Sequence, residues 1–367
     1  MKILIACDKF KGTFTSKQIG EAIAKILIRK NIETQILEVS DGGDGFLNSM
    51  LTLGNFNQIK CETVDALGNK IMSNFLLSKD NTSAIIESSK SIGLKLISPQ
   101  NRSVLLSGSW GLGITIKKAL EQNTKKIMVG VGGTATVDGF CGAANELGFN
   151  FLDKNGNFII PNGKNLIKIA NIIVPKNNPT ENTQFFVAAD VSNTLFGQNG
   201  AAKVFGPQKG ATPQQVEILE LGLKNLADVI KKDLGKDVSK ILGGGAGGGI
   251  GAGMTAFLNA KIISGSDLVL KTVNFDSLAS QSDAVISGEG CFDFQTESGK
   301  IVGNIINRCK KLDKKVIIVC GTSQNKMKQN KNIEIIELFD NTPDLETAIK
   351  ETPTRLSKAF ENFNFLN

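Results

Sequence analysis

Along this chain, short apolar runs that stop at small or acidic residues alternate with stretches whose apolar positions recur every three or four residues. Met1 to Ala6 is apolar and stops before Asp8, and Ile19, Ala22, Ile23, Ile26 and Leu27 follow at helical spacing, with Ser16 the expected N-cap. Ile36 to Val39 reads as the next strand, running into Ser40-Asp41-Gly42-Gly43-Asp44-Gly45. The pattern recurs where Lys126 to Val131 meets Gly132-Gly133-Thr134, and where Phe185 to Ala189 meets Asp190. It returns where Ala284 to Ile286 meets Gly288-Glu289-Gly290, and where Val316 to Val319 meets Gly321-Thr322-Ser323. Buried strands separated by helices predict an α/β fold with a largely parallel sheet, whose ligands bind beyond the carboxyl ends of the strands. Between Lys60 and Ser78 the pattern changes to alternation around Asp65-Ala66-Leu67-Gly68, a hairpin signal that predicts a mixed sheet in the middle of the chain.

A length of 367 residues favours two domains. With 41% apolar and 21% charged residues, neither a disordered chain nor a membrane protein is indicated. The chain contains no His and no Tyr, which removes Ser-His-Asp, Cys-His and His-metal chemistry and leaves proton transfer to Asp, Glu, Lys or Cys. The six Cys are scattered without a C-x-x-C pair, and neither a signal peptide nor a long apolar run is evident, so reduced thiols and a cytoplasmic location are expected. The net charge of +7 comes mostly from dispersed Lys, not from a basic face interleaved with aromatics, so no nucleic-acid partner is expected.

Gly243 to Gly253 reads GGGAGGGIGAG, a run that lets backbone approach either a ligand phosphate or another backbone segment; both readings stand for Gly245 and Gly248. Gly130 to Ala135 matches G-x-G-x-x-A, but the acidic residue it would need, Asp153, follows no convincing strand, so a nicotinamide cofactor is disfavoured. No Walker-type P-loop occurs. Asp8, Asp41, Asp44, Asp190, Glu289 and Asp293 all lie near strand ends, where each alone would be an ordinary cap or loop carboxylate. Gathered at one sheet edge, such carboxylates could bind Mg²⁺ and supply a base for phosphoryl transfer, with Lys9, Lys11 and Lys300 as anion-binding candidates.

Together these segments resemble the type-one glycerate kinase family nearly end to end. Asp8-Lys9-Phe10-Lys11-Gly12-Thr13 is similar to its opening D-[SK]-F-K-G-[ST] motif, and Asp41-Gly42-Gly43-Asp44-Gly45 to its D-G-G-[ED]-G turn. Gly132-Gly133-Thr134-Ala135-Thr136 with Asp138-Gly139 resembles G-G-[ST]-A-T-x-D-G. Ala189-Asp190-Val191-Ser192-Asn193 resembles C-D-V-x-N, and Phe205 to Thr212 resembles F-G-P-Q-K-G-A-T. The Gly243 to Gly253 run and Gly288-Glu289-Gly290 with Asp293, Gln295 and Thr296 complete the family order.

The resemblance implies ATP-dependent phosphorylation of D-glycerate, usually to 2-phosphoglycerate, in a two-domain α/β enzyme. It implies a Rossmann-like domain built from residues 1–65 and 275–367 and an inserted mixed-sheet domain at 66–274, with the active site in the cleft. Asp190 is the first choice for the base and Asp293 the second, and Glu289 with Asp293 are the expected Mg²⁺ contacts. Lys11 is assigned to catalysis. Asp8, Lys9, Asp44, Gly132, Gly133, Thr134, Asn193, Gly245, Gly248, Gln295, Thr296 and Lys300 are expected to bind substrate or phosphate. ATP and glycerate are the implied small-molecule partners, no membrane partner is expected, and a homodimer is a candidate assembly. The chain departs from the family where G-E-G-R-x-D becomes Gly288-Glu289-Gly290-Cys291-Phe292-Asp293, where Val137 replaces Asn, and at Trp110 and Leu112. Rival readings are a catalytically impaired glycerate- or nucleotide-binding protein and a kinase for a related small hydroxy acid.

Overall fold

The structure is a computed structural model that describes residues 1–10, 12–40, 42–43, 45–51, 54–292, 300–324, 332–361 and 363. Lys11, Asp41, Asp44, Asp293, Gln295 and Thr296 lie outside the described residues. Two compact units emerge, one of Met1–Asp41, Asn48–Leu53 and Ser266–Asn367, the other of Gly42–Leu47 and Gly54–Gly265.

The strands in chain order are β1 (Lys2–Cys7), β2 (Glu33–Ile36), β3 (Phe56–Val64), β4 (Lys70–Ser78), β5 (Ser83–Glu87), β6 (Lys126–Gly130), β7 (Asn150–Leu152), β8 (Asn171–Ile173), β9 (Gln184–Ala188), β10 (Lys261–Ile263), β11 (Ala284–Phe292), β12 (Lys315–Ser323) and β13 (Ile333–Glu337). The architecture is α/β, with one parallel and one mixed main sheet.

In the first unit the order is β13-β12-β11-β1-β2, with every described pairing parallel. Ile3, Ile5 and Cys7 of β1 pack with Ile19, Ile23 and Leu27 of the helix Ser16–Ile28, which is the helical spacing read from sequence turned inward. The cap differs from expectation. Thr15 is the N-cap, and its hydroxyl accepts from Gln18 N while the Gln18 side chain accepts from Thr15 N, a capping box. Ser16 instead donates its hydroxyl to the Cys7 carbonyl at 2.7 Å, tying the helix start to the end of β1.

Two strand boundaries also move. β2 covers Glu33–Ile36, not Ile36 to Val39, because an edge strand can be polar while Val39, beyond it, is buried outside the sheet. β11 and β12 continue through their glycines, so Glu289 stands within a strand, not after one. Gly288 and Gly321 make this possible, since an added Cβ at either would run into the backbone of the neighbouring strand at Val319 or Gly290.

In the second unit the order is β10-β9-β6-β5-β4-β3. β5, β6, β9 and β10 are parallel neighbours and β3, β4 and β5 are joined antiparallel, so this sheet is mixed as expected. The hairpin forms at the anticipated turn, where the Asp65 carboxylate accepts from Leu67 N and Asn69 N at 2.8 and 3.0 Å. The core includes Phe149 and Phe151 set edge-on against Phe257, with centroids 5.1 and 5.9 Å apart. Among the described residues, no helix is long and apolar enough to cross a membrane.

The capping box supports a direct check. Thr15→Ala should lower the stability of the first unit by about 1 kcal/mol, read as a lower urea midpoint by circular dichroism. An unchanged midpoint would show that the box contributes nothing.

Candidate active site

In the first unit, β1 and β11 are parallel neighbours and carry Asp8 and Glu289 to the carboxyl end of the sheet. Asp8 N donates to Gly288 O at 2.8 Å, extending the ladder one residue past β1. The Asp8 carboxylate accepts from Lys9 N at 2.8 Å, and the Lys9 ammonium stands 3.9 Å from the same oxygen. Asp8 and Glu289 are both buried. Lys300 occupies the N-cap of the helix Ile301–Lys311 with extended backbone. Burial pushes the Cys7 thiol up, with the Asp8 charge adding to the shift. Cys320 is pushed up to about 12 by burial and the nearby acidic groups Glu337 and Glu289. These two cysteines therefore stay protonated near neutral pH and are unsuited to nucleophilic chemistry.

In the second unit, several junctions meet at the carboxyl ends of β6, β9 and β10. Asp190 follows β9, and Ser264, which follows β10, donates its hydroxyl to Asp190 Oδ1 at 2.7 Å. Nothing in the sequence pattern marked Ser264; only the parallel pairing of β9 with β10 brings it there. The turn Gly42–Gly43 lies on the same edge. A Cβ at Gly130 would come 2.5 Å from Gly42 O, and one at Gly132 would come 2.5 Å from Gly43 Cα. Glu87, ending β5, accepts from Leu47 N at 3.1 Å and from the Ser89 hydroxyl at 2.7 Å, so a buried carboxylate anchors the segment after that turn.

The Gly-rich run forms a tight arc in which Gly247, Gly248 and Gly249 all have positive φ. Gly245 N donates to Asn193 O at 2.9 Å, and Gly248 N donates to Gly245 O at 3.2 Å. The Asn193 side chain donates to Asn199 O at 2.9 Å. Gly245 and Gly248 thus use their amides inside the protein, and their missing side chains admit the carbonyls of Thr194 and Thr136. Opposite the arc, Gly133 turns at φ 73°, and the buried Thr134 donates its hydroxyl to Gly247 O at 3.1 Å.

Behind this turn lie a lysine and a carboxylate that the sequence reading placed in family motifs but gave no role. Lys209 is only 4% exposed, and its ammonium donates to Thr136 O at 2.7 Å and to Thr134 Oγ1 at 3.1 Å. Burial lowers its pKa to about 7, partly countered by the charge of Asp138. Asp138 is fully buried, and burial raises its pKa although its Oδ2 accepts from Ser109 N, Ser109 Oγ and Gly142 N. Among the described residues, no group of three or more Cys, Asp or Glu is placed to hold a metal by itself.

The chain matches the glycerate kinase family over residues 3–366. It belongs to that family. A glycerate kinase of Halalkalibacterium halodurans is 38% identical over 87% of this chain and 85% of its own length. Glycerate 2-kinase of Escherichia coli K12 is 35% identical over 88% and 85%. In three dimensions the chain is similar to the crystal structure of a putative glycerate kinase 2 from Salmonella typhimurium LT2, with a TM-score of 0.80, 33% identity, and coverage of 98% and 96% of the two chains. As a member of the glycerate kinase family the chain is a kinase, a phosphotransferase with an alcohol acceptor.

The arc provides a sharp test. Gly248→Ala must hold an L-residue at φ 79° and push a methyl into the Thr136 carbonyl, so a stability loss of about 2–4 kcal/mol is expected from the combined strain and overpacking. A denaturation midpoint close to that of the unsubstituted protein would show that arc and turn are not packed this way.

Proposed function

We propose that this chain transfers the γ-phosphoryl group of ATP to the 2-hydroxyl of D-glycerate, giving 2-phosphoglycerate. The observation that carries the reading is Asp190, a carboxylate at a strand end oriented by the Ser264 hydroxyl, in a chain without His. Asp190 accepts the proton of the 2-hydroxyl as that oxygen attacks phosphorus and the bond to ADP breaks. Phosphoryl transfer through a loose transition state asks the protein mainly for positioning and charge neutralisation. Lys9 binds the glycerate carboxylate or the transferring phosphoryl group, with Lys11 beside it in sequence. Gly132, Gly133 and Thr134 form the phosphate turn; Gly248 packs against it at Thr136, and Gly245 against Thr194.

Mg²⁺ commonly keeps several waters and takes only one or two protein carboxylates plus phosphate oxygens, so a full protein cage is not required. The buried Glu289 at the sheet's carboxyl end is a hard oxygen donor of the fitting kind, and with Asp293 it is the proposed contact. When bound, the ion would neutralise phosphate charge. Asp8, Asp44, Asn193, Gln295, Thr296 and Lys300 complete the proposed binding set, and Asp293 remains the second candidate for the base. The six cysteines are free thiols, which suits the cytoplasmic location we propose.

Incubation with ATP, Mg²⁺ and D-glycerate should yield 2-phosphoglycerate by phosphorus NMR. Formation of 3-phosphoglycerate would overturn the choice of hydroxyl, and the absence of glycerate-dependent ATP consumption would leave a binding protein as the better reading. Asp190→Asn should lower turnover by about 10²–10⁴; near-normal turnover would move the base to Asp293. Lys9→Ala should raise the KM for glycerate well above tenfold, by loss of a charge-assisted contact, while Cys291→Arg changes activity modestly. If Cys291→Arg raised activity by orders of magnitude and Lys9→Ala were neutral, glycerate would not be the natural acceptor.

A further inference from the structure

The glycerate kinase reading leaves unexplained why an ammonium and a carboxylate are buried behind the Gly132–Thr134 turn. The turn itself needs only its glycines to bend. Yet Thr134 Oγ1 accepts from Lys209 Nζ and donates to Gly247 O, so one hydroxyl links the lysine, the turn and the glycine arc. Lys209 also holds Thr136 O, the carbonyl against which Gly248 is packed. The lysine comes from the 3₁₀ turn Pro207–Lys209, whose peptide continues into Gly210 at φ 90°. Among the described residues, Asp138 Oδ1 and Thr136 Oγ1 are buried without a hydrogen-bond partner, so this polar cluster is not fully satisfied internally.

We propose that Lys209 is a positioning residue for the phosphate-bearing substrate, clamping the Gly132–Thr136 turn onto the glycine arc and placing its positive charge behind the turn's backbone. It acts through Thr134 and the turn rather than by touching the reacting atoms. The inference rests on the kinase reading, with ATP as the ligand whose phosphates face the turn.

Charge is the feature that separates this role from simple packing. With a pKa of about 7, Lys209 loses its proton across the neutral range when no anion is present. An anion at the turn favours the ammonium, so binding takes up a proton above pH 7 and weakens as pH rises. The neighbouring groups do not reverse this direction. The turn contributes Asp138, which raises the lysine's pKa, and the arc Gly243 to Gly249 has no titratable residue. Arg102, whose Cβ would be 3.7 Å from a Cβ at Gly210, donates to the carbonyls of Ile97 and Leu94. In the following helix, Glu220 accepts from Gly197 N at 2.5 Å.

The test compares the unsubstituted protein with Lys209→Met and Lys209→Arg by calorimetric titration of Mg·ATP and of D-glycerate between pH 6 and 9, with melting temperatures alongside. Methionine keeps the length and removes the burial cost of the ammonium, which is fully present below pH 7. It also leaves Asp138 without its counter-charge and Thr136 O without its donor, so the melting temperature is read alongside to separate lost folding from lost binding. The same variant should bind Mg·ATP at least thirtyfold more weakly and glycerate within threefold of normal. The unsubstituted protein should lose Mg·ATP affinity as pH rises above 7, and Lys209→Arg, charged throughout, should lose that slope. Unchanged Mg·ATP affinity in Lys209→Met, weakening of glycerate alone, or equal weakening of both with a fallen melting temperature would each overturn the proposal. If Lys209→Met does not fold, Lys209→Gln, which keeps a donor for Thr134 and Thr136 but no charge, carries the same expectation for Mg·ATP. Because binding is read directly, the inference can stand even if glycerate proves not to be phosphorylated, and can fail while that reaction is confirmed.

Discussion

Backbone laid directly on backbone is the constraint on which the second unit's candidate edge depends. Gly42 and Gly43 rest on Gly130 and Gly132, Gly245 admits the Thr194 carbonyl, and Gly248 admits the Thr136 carbonyl. Each contact works only where a Cβ is missing, and each glycine raises the entropy that folding must overcome. The return is geometric. Segments far apart in sequence come close enough for peptide groups to bond to one another, as Gly139 N does to Gly248 O and Gly245 N to Asn193 O.

Beneath that glycine layer the protein buries two ionisable groups, which an apolar filling would not have to desolvate. Lys209 and Asp138 are both buried, and the pKa of each moves toward its neutral form. Removing a lysine and a carboxylate from water costs several kcal/mol each before their partners compensate. Their hydrogen bonds run to Thr134, Thr136, Ser109 and Gly142, all within or beside the turns at the sheet edge. A core built for stability alone would not concentrate ionisable groups there.

The chemistry of the edge follows from what the chain lacks. Without His, and with Cys7, Cys61, Cys141, Cys309 and Cys320 all pushed up by burial, the groups described at this edge that could accept a proton are carboxylates and a lysine with a pKa of about 7. Asp190 follows β9 and accepts from the Ser264 hydroxyl, whereas Glu87, also at a strand end beside a hydroxyl, is buried and anchors Leu47.

Strand periodicity, the Asp65 to Gly68 turn and the helical spacing of Ile19, Ile23 and Leu27 were legible because each depends on neighbours a few residues away. The edge strand β2 and the continuation of β11 past Gly288 were not, since one depends on where the sheet ends and the other on how closely two strands approach. The same divide runs through the candidate site. The glycine runs and acidic strand ends were visible as residue types, and Gly245 and Gly248 were visible as close-contact positions, but which carbonyls they admit was not. Ser264 reaches Asp190 across 74 positions, and Lys209 reaches Thr134 across 75. By itself the sequence determined the fold class, the family and the exclusion of histidine chemistry, because these reside in composition, period and motif order. Only the tertiary structure decided which amides the glycines use and which lysine is buried, because desolvation and hydrogen-bond partnership are properties of neighbours in space.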